Sequence, residues 1–163
     1  MSQKNAMALA RVQKDLADMK ADSRLAGRVW ISDVLGANCS CAATVAGPPG
    51  TPYAGGVFCL GVQFPEAYPF EPPLVAFTTK IFHCNVSPDG ALNLELLGRG
   101  WSPAATLSEV FLAVLDLFIE PCLDSPTVPE IAKLYCCDRR LHDDMAQRCT
   151  QRLALWTKPP AVG

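Results

Sequence analysis

The sequence predicts an α+β fold: an N-terminal helix, a four-stranded antiparallel meander, a long connecting loop and a run of C-terminal helices. Three observations carry this expectation. Apolar residues near the start recur at helical spacing. Short β-branched and aromatic segments between Val29 and Phe77 are separated by turns rich in Pro and Gly. Helix caps then reappear after Ala105. Helices segregated from an antiparallel sheet within one short chain define the α+β class.

The first helix is expected over Asn5 to Lys20. Leu9, Val12, Leu16 and Met19 fall at three- and four-residue steps and share one face. Arg11, Lys14 and Lys20 lie mostly off that stripe, and Asn5 is the candidate N-cap. The segments "RVWISDVL", "CSCAATVAG", "GVFCLGVQFP" and "PLVAFTT" read as strands. Their connections, "GPPGTPYAGG" and "PEAYPFEPP" among them, are short, so neighbours are expected to run antiparallel. Thr106 with Glu109 forms a capping-box pattern before "LSEVFLAVLDLF". Thr127 with Glu130 repeats it, with Pro129 in the tolerant first turn. Asp138 caps a last helix in which Leu141, Met145, Cys149 and Trp156 share a face.

The chain of 163 residues is read as one domain, with a core over about 7–158. Half of its residues are hydrophobic and 18% are charged, which fits a globular protein. A formal net charge of -2 argues against binding the phosphate backbone of nucleic acid. "VFLAVLDLFI" is too short to span a bilayer, and the start lacks the apolar core of a signal peptide, so no membrane association is expected. The expected location is the cytoplasm, the nucleus or both. The eight cysteines include no C-x-x-C pair, and neither histidine flanks a cysteine cluster at zinc spacing. No metal, small-molecule cofactor or disulfide framework is expected, and the thiols read as small hydrophobes.

Lys80 to Ala105 has no clear periodicity, and a loop of that length in a compact chain is usually functional. Within it, "FHCNVSPDGALNLELLGRGW" holds His83, Cys84 and Asn85, then a turn, a short apolar run and Trp101. His83 reads as a structural hydrogen bonder at the loop base, with a backbone carbonyl and the Tyr68 hydroxyl as candidate partners. Gly98 and Gly100 suggest a soft stretch.

Along most of its length the chain resembles a short, single-domain ubiquitin-conjugating enzyme. "MALARVQKDL" resembles the family's first helix. Gly47 to His83 resembles its central sheet and Pro-rich flap. Trp101 to Phe118 and "SPTVPEIAKLY" resemble the loop and helices after its active site. The resemblance implies a ubiquitin-conjugating fold and thioester chemistry, in which a cysteine accepts the modifier and passes it on. It also implies that the Asn of a His-Pro-Asn triplet donates to a developing oxyanion or orders the loop. Here the triplet is His83-Cys84-Asn85. The family's cysteine follows after a turn, and "GALNLELL" matches that stretch without a gap, placing the cysteine on Asn93. A carboxamide is not a nucleophile at neutral pH. The acid that often faces the cysteine aligns with Ser125, beside Asp124.

The same resemblance implies partner surfaces. Arg11 and Lys14 match the helix face that meets the activating enzyme. Phe70, Pro103 and Ala104 match the loops that ligases grip, and Glu71 stands where a basic residue is frequent. Trp101 reads mainly as a packing anchor. The implied partners are ubiquitin or a related modifier, a ubiquitin ligase, the activating enzyme or an active conjugating enzyme. The leading expectation is a silent variant that binds such partners, leaning away from an enzyme. The alternatives are an active transferase using Cys84 or Cys122, an engineered form of an active enzyme, and an interaction domain outside ubiquitin biology.

Overall fold

A computed structural model describes residues 3–34 and 39–154. Helix α1 (Gln3–Ala21) leads into strands β1 (Val29–Ile31), β2 (Ser40–Ala46), β3 (Val57–Gln63) and β4 (Leu74–Phe77). An irregular segment with one 3-10 turn (Glu95–Leu97) follows, then α2 (Leu107–Ile119), α3 (Pro129–Cys137) and α4 (Arg139–Leu153). Each of the four strands pairs antiparallel with its neighbour in sequence, in the order β1-β2-β3-β4. This is the meander that the short turns require.

Strand alternation selects the inner face. Cys41, Ala43 and Val45 of β2, Phe58, Leu60 and Val62 of β3, and Val75 and Phe77 of β4 are buried. Val12, Leu16 and Met19 of α1 join them, as the stripe predicts. Helix α2 is the central element, with seven of its 13 residues buried. Phe118 meets Tyr53, Phe58 and Phe77 with ring centroids 5.2–6.1 Å apart, the tilted and edge contacts that aromatic rings favour. Each such side chain contributes about 1.5–3 kcal/mol of burial.

The caps divide. Thr106 accepts from the Glu109 N–H, and Glu109 returns the bond to the Thr106 N–H, so the first capping box forms. Asp138 accepts from the Leu141 N–H as expected. The second box does not form. Helix α3 starts one residue later than the Thr127 reading requires, with Val128 at its N-cap and no side-chain cap. The Thr127 N–H instead donates to the Cys84 carbonyl at 2.8 Å, which fixes this residue to the loop. Asn5 is also not a cap, because α1 already includes Gln3.

Helix α4 turns a different face inward from the one its large apolar residues suggest. Leu141 and Met145 are exposed, while His142, Ala146 and Thr150 are buried. Trp156 lies outside the described residues. The cause is close packing on the β2–β3 turn. A Cβ on Gly56 would lie 2.4 Å from the Thr150 Cγ2, and the Ala154 carbonyl accepts from the Val57 N–H at 2.7 Å. Only small side chains fit an approach that tight at Thr150, while His142 near the start of the helix packs on the Phe82 and Tyr135 rings.

Candidate acceptor site

The site is built where the chain leaves β4 and folds back on it. The Phe77 N–H donates to the Gly90 carbonyl at 2.8 Å, and Ala76 bridges Ala91. Gly90 has φ +95°, and an added Cβ would stand 2.0 Å from the Phe77 carbonyl oxygen. Only glycine satisfies both conditions. Between the two arms, Ser87 and Asp89 close a turn through their side chains. Val86 bridges Leu92, and the Asn93 N–H donates to the Asn85 carbonyl at 2.9 Å. The triplet and Asn93 therefore lie side by side on adjacent arms.

His83 anchors the base, only 4% exposed. Its Nε2 is 2.7 Å from the Leu117 carbonyl, and its Nδ1 is 3.0 Å from the Asn85 N–H. A carbonyl only accepts and an N–H only donates. The ring is therefore neutral, with its proton on Nε2. A backbone carbonyl is thus the partner, and the Tyr68 hydroxyl donates elsewhere, to Asp15. Burial pushes the His83 pKa below its ordinary 6.5, with the Leu117 bond opposing. The unfolded chain therefore takes up the proton first as pH falls. His83's stabilising contribution is full above pH 6.5 and is lost as pH drops through 6.5 toward the lower folded value. The limiting slope is about 1.4 kcal/mol per pH unit for one proton. Imidazole 15N shifts are expected to keep His83 neutral below pH 6.5 in the folded protein; titration at or above that value would contradict this geometry.

Asn85 is fully buried. Its Nδ2–H donates to the Cys122 carbonyl at 2.8 Å, and its Oδ1 accepts the Cys122 N–H at 2.9 Å. Of the two roles that the resemblance offers, this geometry is that of the loop-ordering one. Asn93 is exposed at the rim, and its Nδ2–H donates to the Ser125 carbonyl at 2.9 Å. Asp124, Ser125 and Cys122 are exposed in the same distal loop.

The thiols differ sharply. Cys84 is 2% exposed and faces the Asn85 Oδ1, and burial raises its pKa. A thiol held protonated and out of solvent is a poor nucleophile, so the structure opposes Cys84 as the reactive residue. Burial likewise raises Cys39, and it pushes Cys41 up to about 11. All eight cysteines are free thiols. Among the described residues, no group of three or more His, Cys, Asp or Glu is placed to hold a metal ion. No described helix is long and apolar enough to cross a membrane.

The partner-facing residues form a second locus. Phe70 is 77% exposed, on a turn tied by its N–H to the Ala67 carbonyl at 2.7 Å. Glu71, Pro103, Ala104 and Lys14 are exposed. Lys14 pairs with Asp18 one turn on, a solvent-screened bridge worth little. Trp101 is half-buried; its Nε1–H donates to the Pro69 carbonyl at 2.9 Å, and its ring packs on Tyr68. Gly98 and Gly100 both donate to the Glu95 carbonyl at 2.9 Å, so the stretch expected to be soft is a bonded turn.

Arg11 departs from the expected exposed position. It is half-buried, with Nε 3.0 Å from an Asp15 oxygen and Nη2 2.7 Å from the Pro103 carbonyl. The reason is Asp15, 3% exposed, which sequence reasoning passed over. A buried carboxylate requires a paired cation and hydrogen bonds, and Arg11 and Tyr68 supply them. The signal was present as Arg and Asp four residues apart on one helix.

A family model for ubiquitin-conjugating enzymes matches residues 11–150. A solved structure assigned as a ubiquitin conjugating enzyme from Plasmodium yoelii is similar at TM-score 0.83 and 33% identity, covering 96% of this chain and 99% of the other. The E2 domain of a Toxoplasma gondii ubiquitin conjugating enzyme matches at TM-score 0.78 and 34% identity, covering 89% and 97%. Joined to the meander, the folded-back loop and the His83–Asn85 base, these matches mean that this chain belongs to the ubiquitin-conjugating enzyme family.

Proposed function

We propose that this chain works in the ubiquitin pathway as a silent member of its family, binding ubiquitin, a ligase or an active conjugating enzyme without carrying a thioester. One observation carries the reading: Asn93 occupies the exposed rim of the folded-back loop, in the stretch that the resemblance aligns with the family's acceptor cysteine. Charging requires a thiolate to attack the activated carbonyl carbon, form a C–S bond and release the activating enzyme's thiolate. The Asn93 nitrogen offers no such lone pair, because it is delocalised into its own carbonyl. The exposed Phe70, Glu71, Pro103 and Ala104 remain available as a partner surface.

Cys122 supports a second reading. It is exposed in the loop that Asn93 touches, so a transferase using Cys122 is the competitor. Incubation with activating enzyme, ubiquitin and ATP, read by intact mass, separates the two. The proposal expects no adduct that reductant removes. A labile adduct lost in Cys122→Ala would overturn it in favour of the competitor.

A further inference from the structure

The loop carrying the triplet and Asn93 meets the distal loop, Pro121 to Val128. Among the described residues, five hydrogen bonds join them. Four use buried or main-chain groups. Asn85 makes two with the Cys122 backbone, and the Thr127 and Val128 N–H groups both donate to the Cys84 carbonyl, at 2.8 and 3.0 Å. The fifth is different. It comes from an exposed side chain, the Asn93 Nδ2–H to the Ser125 carbonyl.

We propose that the Asn93 carboxamide is a clasp that shuts the rim between these two loops. The bond closes a ring of contacts. The Asn93 N–H is held by the Asn85 carbonyl, the Asn85 side chain holds Cys122, and the chain from Cys122 returns to Ser125. Asn93 is therefore fixed at its backbone before its side chain reaches across, and only side-chain rotamer freedom is lost on forming the bond.

The chemistry demands a donor at that reach. Asp has the same shape, but as a carboxylate it only accepts, and it would meet the Ser125 carbonyl beside the exposed Asp124. Ala has no polar atom, and a cysteine thiol is shorter and a weak donor. The residue that removes a nucleophile thus also supplies a closing bond that a cysteine would not. This closure stands on geometry alone. Its consequence, that a modifier's tail finds the rim shut, rests on the reading of position 93 as the acceptor position.

Amide hydrogen exchange on the intact chain tests the clasp. Asn93→Ala and Asn93→Asp are each expected to speed exchange of the Cys122, Thr127 and Val128 amides about fivefold, the size of one net hydrogen bond. The β3 amides are expected to keep their rates. Ser125→Ala, which keeps the accepting carbonyl, is expected to exchange like the parent. Unchanged loop exchange in both Asn93 variants, an equal rise in β3, or an equal rise in Ser125→Ala overturns the clasp. Ubiquitin charging does not enter this readout, so failure of the clasp and failure of the acceptor assignment are separate results.

Discussion

Asn85→Ala is expected to lower stability by about 2–4 kcal/mol, through two lost hydrogen bonds and the void left by a fully buried side chain. For a chain of this size that corresponds to a fall in Tm of roughly 5–15 °C. The effect is large because both ends of the side-chain carboxamide are used: its Nδ2–H and its Oδ1 both engage the Cys122 backbone, in a fully buried position. Asn85→Asp is expected to be no rescue. It keeps the acceptor for the Cys122 N–H but turns a carboxylate toward the Cys122 carbonyl in a buried position. Thermal melts of both variants check this. A Tm within about 2 °C of the parent for Asn85→Ala would mean that the distal loop holds itself without the carboxamide.

Much of this arrangement was legible in the sequence, for identifiable reasons. The α1 stripe of Val12, Leu16 and Met19 was clear because one helix face does a single job. The meander was clear because its turns are rich in Pro and Gly and its inner residues alternate. The capping box at Thr106 was readable because both of its partners are local.

Apart from the Asn5 cap and the Gly98–Gly100 turn, which are local, the errors share a cause: they concern contacts made far along the chain. Thr127 carries the local pattern of a cap, but its N–H is taken by Cys84, 43 residues earlier. Leu141 and Met145 are the large apolar residues of α4, yet the face that packs is set by the space at Gly56, and only small residues fit there. The i,i+4 spacing of Arg11 and Asp15 offers the pair, but not its burial, and the Pro103 carbonyl that Arg11 also meets is 92 residues away. The bonds of the candidate site behave likewise. The triplet and Asn93 could be picked out by pattern. The Cys122 backbone and the Ser125 carbonyl, their actual partners, are main-chain groups that no side-chain pattern encodes.

Asn93→Cys carries the largest expected effect on activity. The base under position 93 is intact: His83 is seated on Leu117, Asn85 orders the distal loop and Gly90 makes the fold-back. On the proposed reading, what position 93 lacks for acceptor chemistry is a thiol in place of its carboxamide. Supplying it also removes the bond to Ser125, so the loops are expected to loosen as the nucleophile arrives. The change is from no adduct to an adduct, rather than a graded shift.

The most direct test is to charge the parent and Asn93→Cys side by side with activating enzyme, ubiquitin and ATP, and to locate any reductant-labile ubiquitin adduct by peptide mapping. The account predicts none on the parent and one on Cys at position 93 in the variant. A folded variant without the adduct, or an adduct on any native cysteine of the parent, would contradict it.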